Sequence, residues 1–311
     1  MNAMHPRSLP TSIPEYLAQL RAALAGADPA LVQDALYDAE EYLRSELAEN
    51  PGRSEAEVIA AVAGSYGAPE EVADIYRDTE AKVQTALRPP PPAQRHSVLG
   101  RFFGVAADPR TYGATFYAML ALATGIFYFT WVVAGVSLSA GLSVIIIGIP
   151  FVILFLGSVR LLSLVEGRIV EVMLGERMPR RPLYADRDRP VLARIGEMFT
   201  DPRTWSTLLY MLAMLPLGIV YFTVAVTLLS LSLALVVAPP LAMFGAFDGW
   251  SLSGDWFGLH LGFWEPSLTL GWWELPIVFV CGVVLLFATL HLLRGMGKLH
   301  GGIAKALLVK V

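Results

Sequence analysis

Apolar positions follow two different rules along this chain. Through about residue 88 they recur every three to four residues and are broken by helix stop signals. Leu17, Leu20 and Leu24 form one stripe, with Ser12 and Glu15 spaced as a capping box, Pro14 in the first turn and Gly26 at the end. Asp28-Pro29 opens a longer helix with Val32, Leu36, Ala39, Leu43 and Leu47 on one face. Asp34, Asp38, Glu41 and Glu49 lie mainly on the others. Asn50-Pro51-Gly52 stops it, and Ser54 and Glu57 form a second capping box before Val58–Val62. Gly67 and Pro69 precede a last helix with Val72, Ile75 and Tyr76. Four such helices can bury one small core. Pro89–Pro92 cannot continue a helix and sets a spacer there.

Beyond residue 98 the periodicity gives way to long apolar runs. Thr111 to Val159 contains no charged residue. Those 49 residues are long enough for two crossings, at about 20 residues per crossing. Thr204 to Leu293 contains no Lys or Arg. Spans are predicted at about 113–135, 142–164, 206–238 and 274–293. Gly148-Ile149-Pro150 and Ala238-Pro239-Pro240 should kink or terminate helices. The apolar part is also written twice. Asp108-Pro109-Arg110-Thr111 recurs as Asp201-Pro202-Arg203-Thr204, and the Gly125-Ile126-x-Tyr128-Phe129-Thr130 block recurs at Gly218–Thr223. At an offset of 93, 16 of the 35 positions in 108–142 are identical in 201–235. The second copy carries about 41 extra residues before its last helix.

Charge turns this pattern into a topology. The chain of 311 residues has mean hydropathy +0.55 and is 55% hydrophobic but only 16% charged, which excludes a disordered chain; its single cysteine, Cys281, excludes a disulfide scaffold. Residues 1–88 hold 15 acidic and 7 basic residues, and the remainder 12 and 16. Nine Lys/Arg residues lie from Arg160 to Arg203, with others before the first span and after the last. The positive-inside rule therefore expects both termini and the middle segment in the cytoplasm. Met1 to Pro10 has no apolar run, so a cleavable signal peptide is not expected. The expected fold is all-α: a small helical domain, then a polytopic four-helix transmembrane bundle of two repeated hairpins with juxtamembrane amphipathic helices. The divisions are a flexible 1–13, the helical domain 14–88, a Pro-rich linker 89–98, repeat 1 over 99–180, and repeat 2 over 181–311 with an outer loop 244–273.

Two resemblances sit on these residues. The order Tyr16-Leu17-Ala18-Gln19-Leu20, Glu40-Glu41-Tyr42, Ser54–Ile59 and Gly67-Ala68-Pro69-Glu70-Glu71-Val72-Ala73 resembles the HAAS-type helical signalling domain of bacterial membrane proteins. That resemblance implies regulation or interaction, and a cytosolic partner such as a PadR-type transcription regulator. The repeat resembles the sensor domain that precedes the kinase core in many actinobacterial histidine kinases. Asp-Pro-Arg-Thr at each start, Tyr-Phe-Thr in the first span and Glu166-Gly167-Arg168 to Leu174-Gly175 carry it. No phosphoacceptor helix or nucleotide glycine box follows, so phosphotransfer is not expected.

Candidate chemistry is sparse. The outer loop holds five of seven tryptophans. Asp248, Trp250, Asp255, Trp256, His260, Trp264 and Glu265 could line an outer ligand or ion pocket; an interfacial aromatic belt is the plainer reading. Their spacing matches no closed metal site. The Asp-Pro-Arg-Thr copies read as helix caps, with Arg110 and Arg203 anchoring at headgroups. Residues 165–176 and 295–310, the latter with Lys298 and Lys305, could lie along the inner surface or pack beneath the bundle. His291 and Glu274 are the ionisable groups nearest a span interior. The acidic residues of the helical domain read as a solvated face. No catalytic residue, metal or cofactor is expected, and no direct nucleic-acid binding. Partners expected are the bilayer and, through 14–88, either a cytosolic regulator or a subunit of a membrane complex such as a transporter; association with further copies stays open. The leading reading is a membrane sensor relaying an envelope signal, and the alternative a non-catalytic accessory or scaffold subunit.

Overall fold

In the computed structural model, residues 10–87, 97–142, 148–180, 196, 199–243, 251–252, 268–269 and 273–309 are described. Among the described residues the fold is all-α apart from a two-residue antiparallel pair, Ser251–Leu252 with Leu268–Thr269. Two compact units form, one from Met1–Pro91, Phe129–Leu212 and His300–Val311, the other from Pro92–Tyr128 and Ala213–Leu299.

In the first unit, α1 (Ile13–Ala23), α2 (Pro29–Glu49), α3 (Glu55–Ser65) and α4 (Pro69–Leu87) enclose the predicted small core. Tyr16, Leu20, Leu24, Ala39, Leu43, Ile59 and Val72 are its buried centre. Gly26 and Gly67 take positive φ, 82° and 115°, at the turns after α1 and α3, where a side chain would strain the backbone. Ser54 and Glu57 make the complete capping box. The Ser12 box is displaced. Ser12 accepts from the Glu15 N–H, but the Glu15 carboxylate turns to Thr11, and the Ile13 N–H donates to Glu55 at 2.7 Å.

Among the described residues, four helices are long and apolar enough to cross a membrane: α6 (Pro109–Leu142), α7 (Gly148–Leu174), α8 (Pro202–Met243) and α9 (Leu275–Leu308). This is a membrane protein. A short α5 (Val98–Phe103) and a 3₁₀ turn (Gly104–Ala107) lead into α6. The helices outrun the predicted spans because 165–174 and 295–308 continue α7 and α9 instead of forming separate surface helices. Ala238-Pro239-Pro240 does not end α8 either. Each proline forfeits only its own N–H bond to the carbonyl four residues back, a loss that membrane helices tolerate, and the helix runs on to Met243.

Glycines let the helices close. In the second unit, a methyl on Gly125 of α6 would overlap the Met214 carbonyl, and one on Gly218 of α8 the Ala121 carbonyl. Gly125 and Gly218 are equivalent positions of the two repeats, as are Ala121 and Met214, so the two first spans cross reciprocally. Gly282 of α9 lies against Leu235 of α8. In the first unit, Gly135 of α6 lies under Phe155 of α7, and the Trp131 indole donates to the Ser158 hydroxyl at 2.9 Å.

Candidate functional site

Two arrangements in the first unit stand out. The first is polar and buried. Glu166 on α7, Tyr210 on α8 and His300 on α9 are all at most 1% exposed. The Tyr210 hydroxyl donates to Glu166 Oε1 at 2.9 Å and lies 2.9 Å from His300 Nε2. A phenol has one proton. With that proton on the carboxylate bond, the imidazole must donate from Nε2 to the phenol oxygen. The result is a chain of carboxylate, phenol and imidazole that ties three membrane-length helices together.

The second is charged and joins the small domain to the helix ends. α7 stops at Gly175, φ 74°, whose N–H returns to the Glu171 carbonyl at 3.1 Å. The chain then folds back, placing Met178 against Gly167 and Glu176 against Gly301. This turn presents Arg177, whose guanidinium pairs with Asp34 of α2 at 3.1 Å and with Glu80 of α4. The Arg180 backbone N–H adds a 2.7 Å bond to Asp34, and Lys305 of α9 pairs with Asp28 at the start of α2 at 2.5 Å. Asp34 is thus buried, 5% exposed, and not part of the solvated face that helical periodicity predicts.

The predicted caps are present in both copies. Asp108 Oδ1 accepts from the Arg110 N–H at 3.0 Å, and Asp201 Oδ1 from the Arg203 N–H at 3.1 Å. Each aspartate's second oxygen faces an arginine of the other repeat's closing helix: Arg294 to Asp108 at 2.6 Å, and Arg160 to Asp201 at 3.5 Å. Arg110 and Lys298 are exposed, while Arg203 and Lys305 are half-buried. Asp248, Trp250, Asp255, Trp256, His260, Trp264 and Glu265 lie outside the described residues. No cluster of three or more metal-ligating side chains occurs among the described residues.

Comparison with known families decides the class. The family described as "Putative sensor" matches residues 117–308, well over half of the chain, and HAAS matches 15–75. The chain belongs to the Sensor family. No curated protein and no solved structure matches it. The HAAS match falls on α1–α4 and the Sensor match on the membrane helices. In the sensor domain, Glu166 and His300 were missed by sequence reasoning, which pointed instead to His291 and Glu274. His291 is exposed, with a ring nitrogen 3.0 Å from the Phe102 carbonyl. The missed signal lay in the duplication. Aligning Arg160 with Arg294 aligns Glu166 with His300 and Gly167 with Gly301, so an ionisable group recurs at one position of both closing helices.

Proposed function

We propose that this Sensor-family protein senses a membrane or envelope state and relays it, without catalysis of its own, to a cytosolic regulator through its HAAS domain. The observation that carries this reading is the junction of Arg177 with Asp34 and Glu80, seconded by Lys305 with Asp28. A nearly dry ion pair tolerates little displacement, because separating its members leaves uncompensated charge. Movement of α7 or α9 along or across the bilayer would therefore be felt directly by α2 and α4. The Glu166–Tyr210–His300 chain couples α7, α8 and α9 just inside that junction, so their ends would respond together. The Asp28–Lys305 pair supports a HAAS domain on the same side of the membrane as the end of α9, and the basic residues favour the cytoplasmic side of the inner membrane.

Co-purification from membranes tests the reading. Full-length protein should capture a soluble regulator, the amount should change with Arg177→Glu, and deletion of 14–88 should abolish capture. A stoichiometric integral-membrane partner retained after that deletion would instead make the protein an accessory subunit.

A further inference from the structure

The two Asp-Pro-Arg-Thr copies have the same backbone role but differ in what surrounds them. In the first copy the aspartate and the threonine hydroxyl are both engaged. Asp108 holds Arg294 at 2.6 Å, and the buried Thr111 hydroxyl donates to the Val105 carbonyl at 2.9 Å. The second copy is looser. Arg160 reaches Asp201 only at 3.5 Å, and a recess opens between α7 and the N-terminus of α8, lined by Arg160, Ser163, Asp201, Arg203, Thr204 and Thr207. Thr204 is 4% exposed, lines this recess, and its hydroxyl has no hydrogen-bond partner. A buried hydroxyl left unpaired is costly, and its counterpart in the first copy is not so left.

From this we infer that the recess binds the phosphoryl group of an anionic lipid headgroup. Two guanidiniums face one carboxylate, leaving a net positive charge. The N-terminus of a 42-residue helix adds its own preference for anions. Thr204 and Thr207 supply hydroxyl donors, and Arg203 a fork suited to phosphoryl oxygens. The enclosed space of about 30 Å³ takes a small polar group and not a whole lipid. What lies beside it favours a lipid over free phosphate. Leu161 and Val165 on α7 and Trp205 and Leu209 on α8 are each 46–63% exposed, an apolar surface where acyl chains can lie. Basic recesses between membrane helices near the interface are suited to lipid headgroups. The inference is independent of the relay proposed above, since binding is read without any signalling output.

Native mass spectrometry of the full chain in detergent tests it, with phosphatidylglycerol, phosphatidylcholine and inorganic phosphate as probes. Phosphatidylglycerol should be retained about tenfold or more over phosphatidylcholine, the scale of one charge-assisted contact. Arg203→Gln should remove most of that preference, the near-isosteric Thr204→Val should lower it a few-fold, and Arg101→Gln, an equal charge loss on α5, should leave it unchanged. Equal retention of the two lipids by the unaltered protein overturns the inference, as does an unaffected Arg203→Gln or Thr204→Val. Inorganic phosphate bound in place of lipid overturns the lipid assignment.

Discussion

One methyl group is the margin by which α6 and α8 approach each other. Both glycines at the crossing face a carbonyl of the opposite helix, and backbone cannot yield as a flexible side chain can. Gly125→Ala and Gly218→Ala should each destabilise the detergent-solubilised protein by about 1–3 kcal/mol. Gly157→Ala on α7, with open space around it, should be neutral or slightly stabilising. Equal thermal shifts for all three would disprove a tight crossing. At the same scale, Tyr210→Phe removes the one hydroxyl shared by Glu166 and His300 and should cost about 1–3 kcal/mol in the same melt. Glu166→Gln, whose amide oxygen can still accept from the phenol, should cost less. The reverse order would mean that the carboxylate, not the phenol, organises the cluster. Neither feature was readable from periodicity: Tyr210 lies 44 and 90 residues from its partners. The repeat held a trace of both, as an aligned glycine pair and an aligned Glu/His pair, but alignment does not say which helices touch.

Among the elements, the HAAS helices were the most legible, because their boundaries are set locally. Ser54 with Glu57 is a complete box of four residues, and Gly26 and Gly67 end helices where positive φ is needed. Legibility fails where a distant group competes. The Ile13 N–H is taken by Glu55, 42 residues on, and Asp34 leaves the solvent face for Arg177, 143 residues on. The packing of these helices also predicts a pH response. Burial raises Tyr16 and Tyr76 above their ordinary value, and Tyr66 likewise. The Tyr16 hydroxyl donates to the Gly67 carbonyl and the Tyr76 hydroxyl to Asp38, both at 2.8 Å. With folded-state values above the unfolded value of about 10, their contribution is complete below pH ~10 and lost as pH rises beyond it. Hydrogen exchange of the full chain should therefore show α1–α4 opening at alkaline pH together with tyrosinate absorbance. Tyr16→Phe with Tyr76→Phe should flatten that alkaline limb; ionisation near pH 10 with α1–α4 still protected would contradict it.

For the whole molecule, the duplication reads in sequence as two consecutive hairpins, and the ion pairs cross-link them. Asp108 opens the first repeat and takes Arg294 from the close of the second; Asp201 opens the second and takes Arg160 from the close of the first. The Glu166–Tyr210–His300 chain likewise draws one member from the first repeat and two from the second. Each compact unit is accordingly built from residues of both repeats. A hairpin expressed alone would present unpaired aspartates and a buried glutamate without its phenol, each costly away from water. Splitting the chain within 181–195 and producing the halves separately should give two products that are degraded or aggregate. Co-expression should restore a stoichiometric complex with the thermal stability of the unbroken chain to within a few degrees. If the half ending before the split purified alone as a stable, monodisperse species with its helices protected from exchange, the reciprocal pairing would be incidental, and the repeats would be two domains in series.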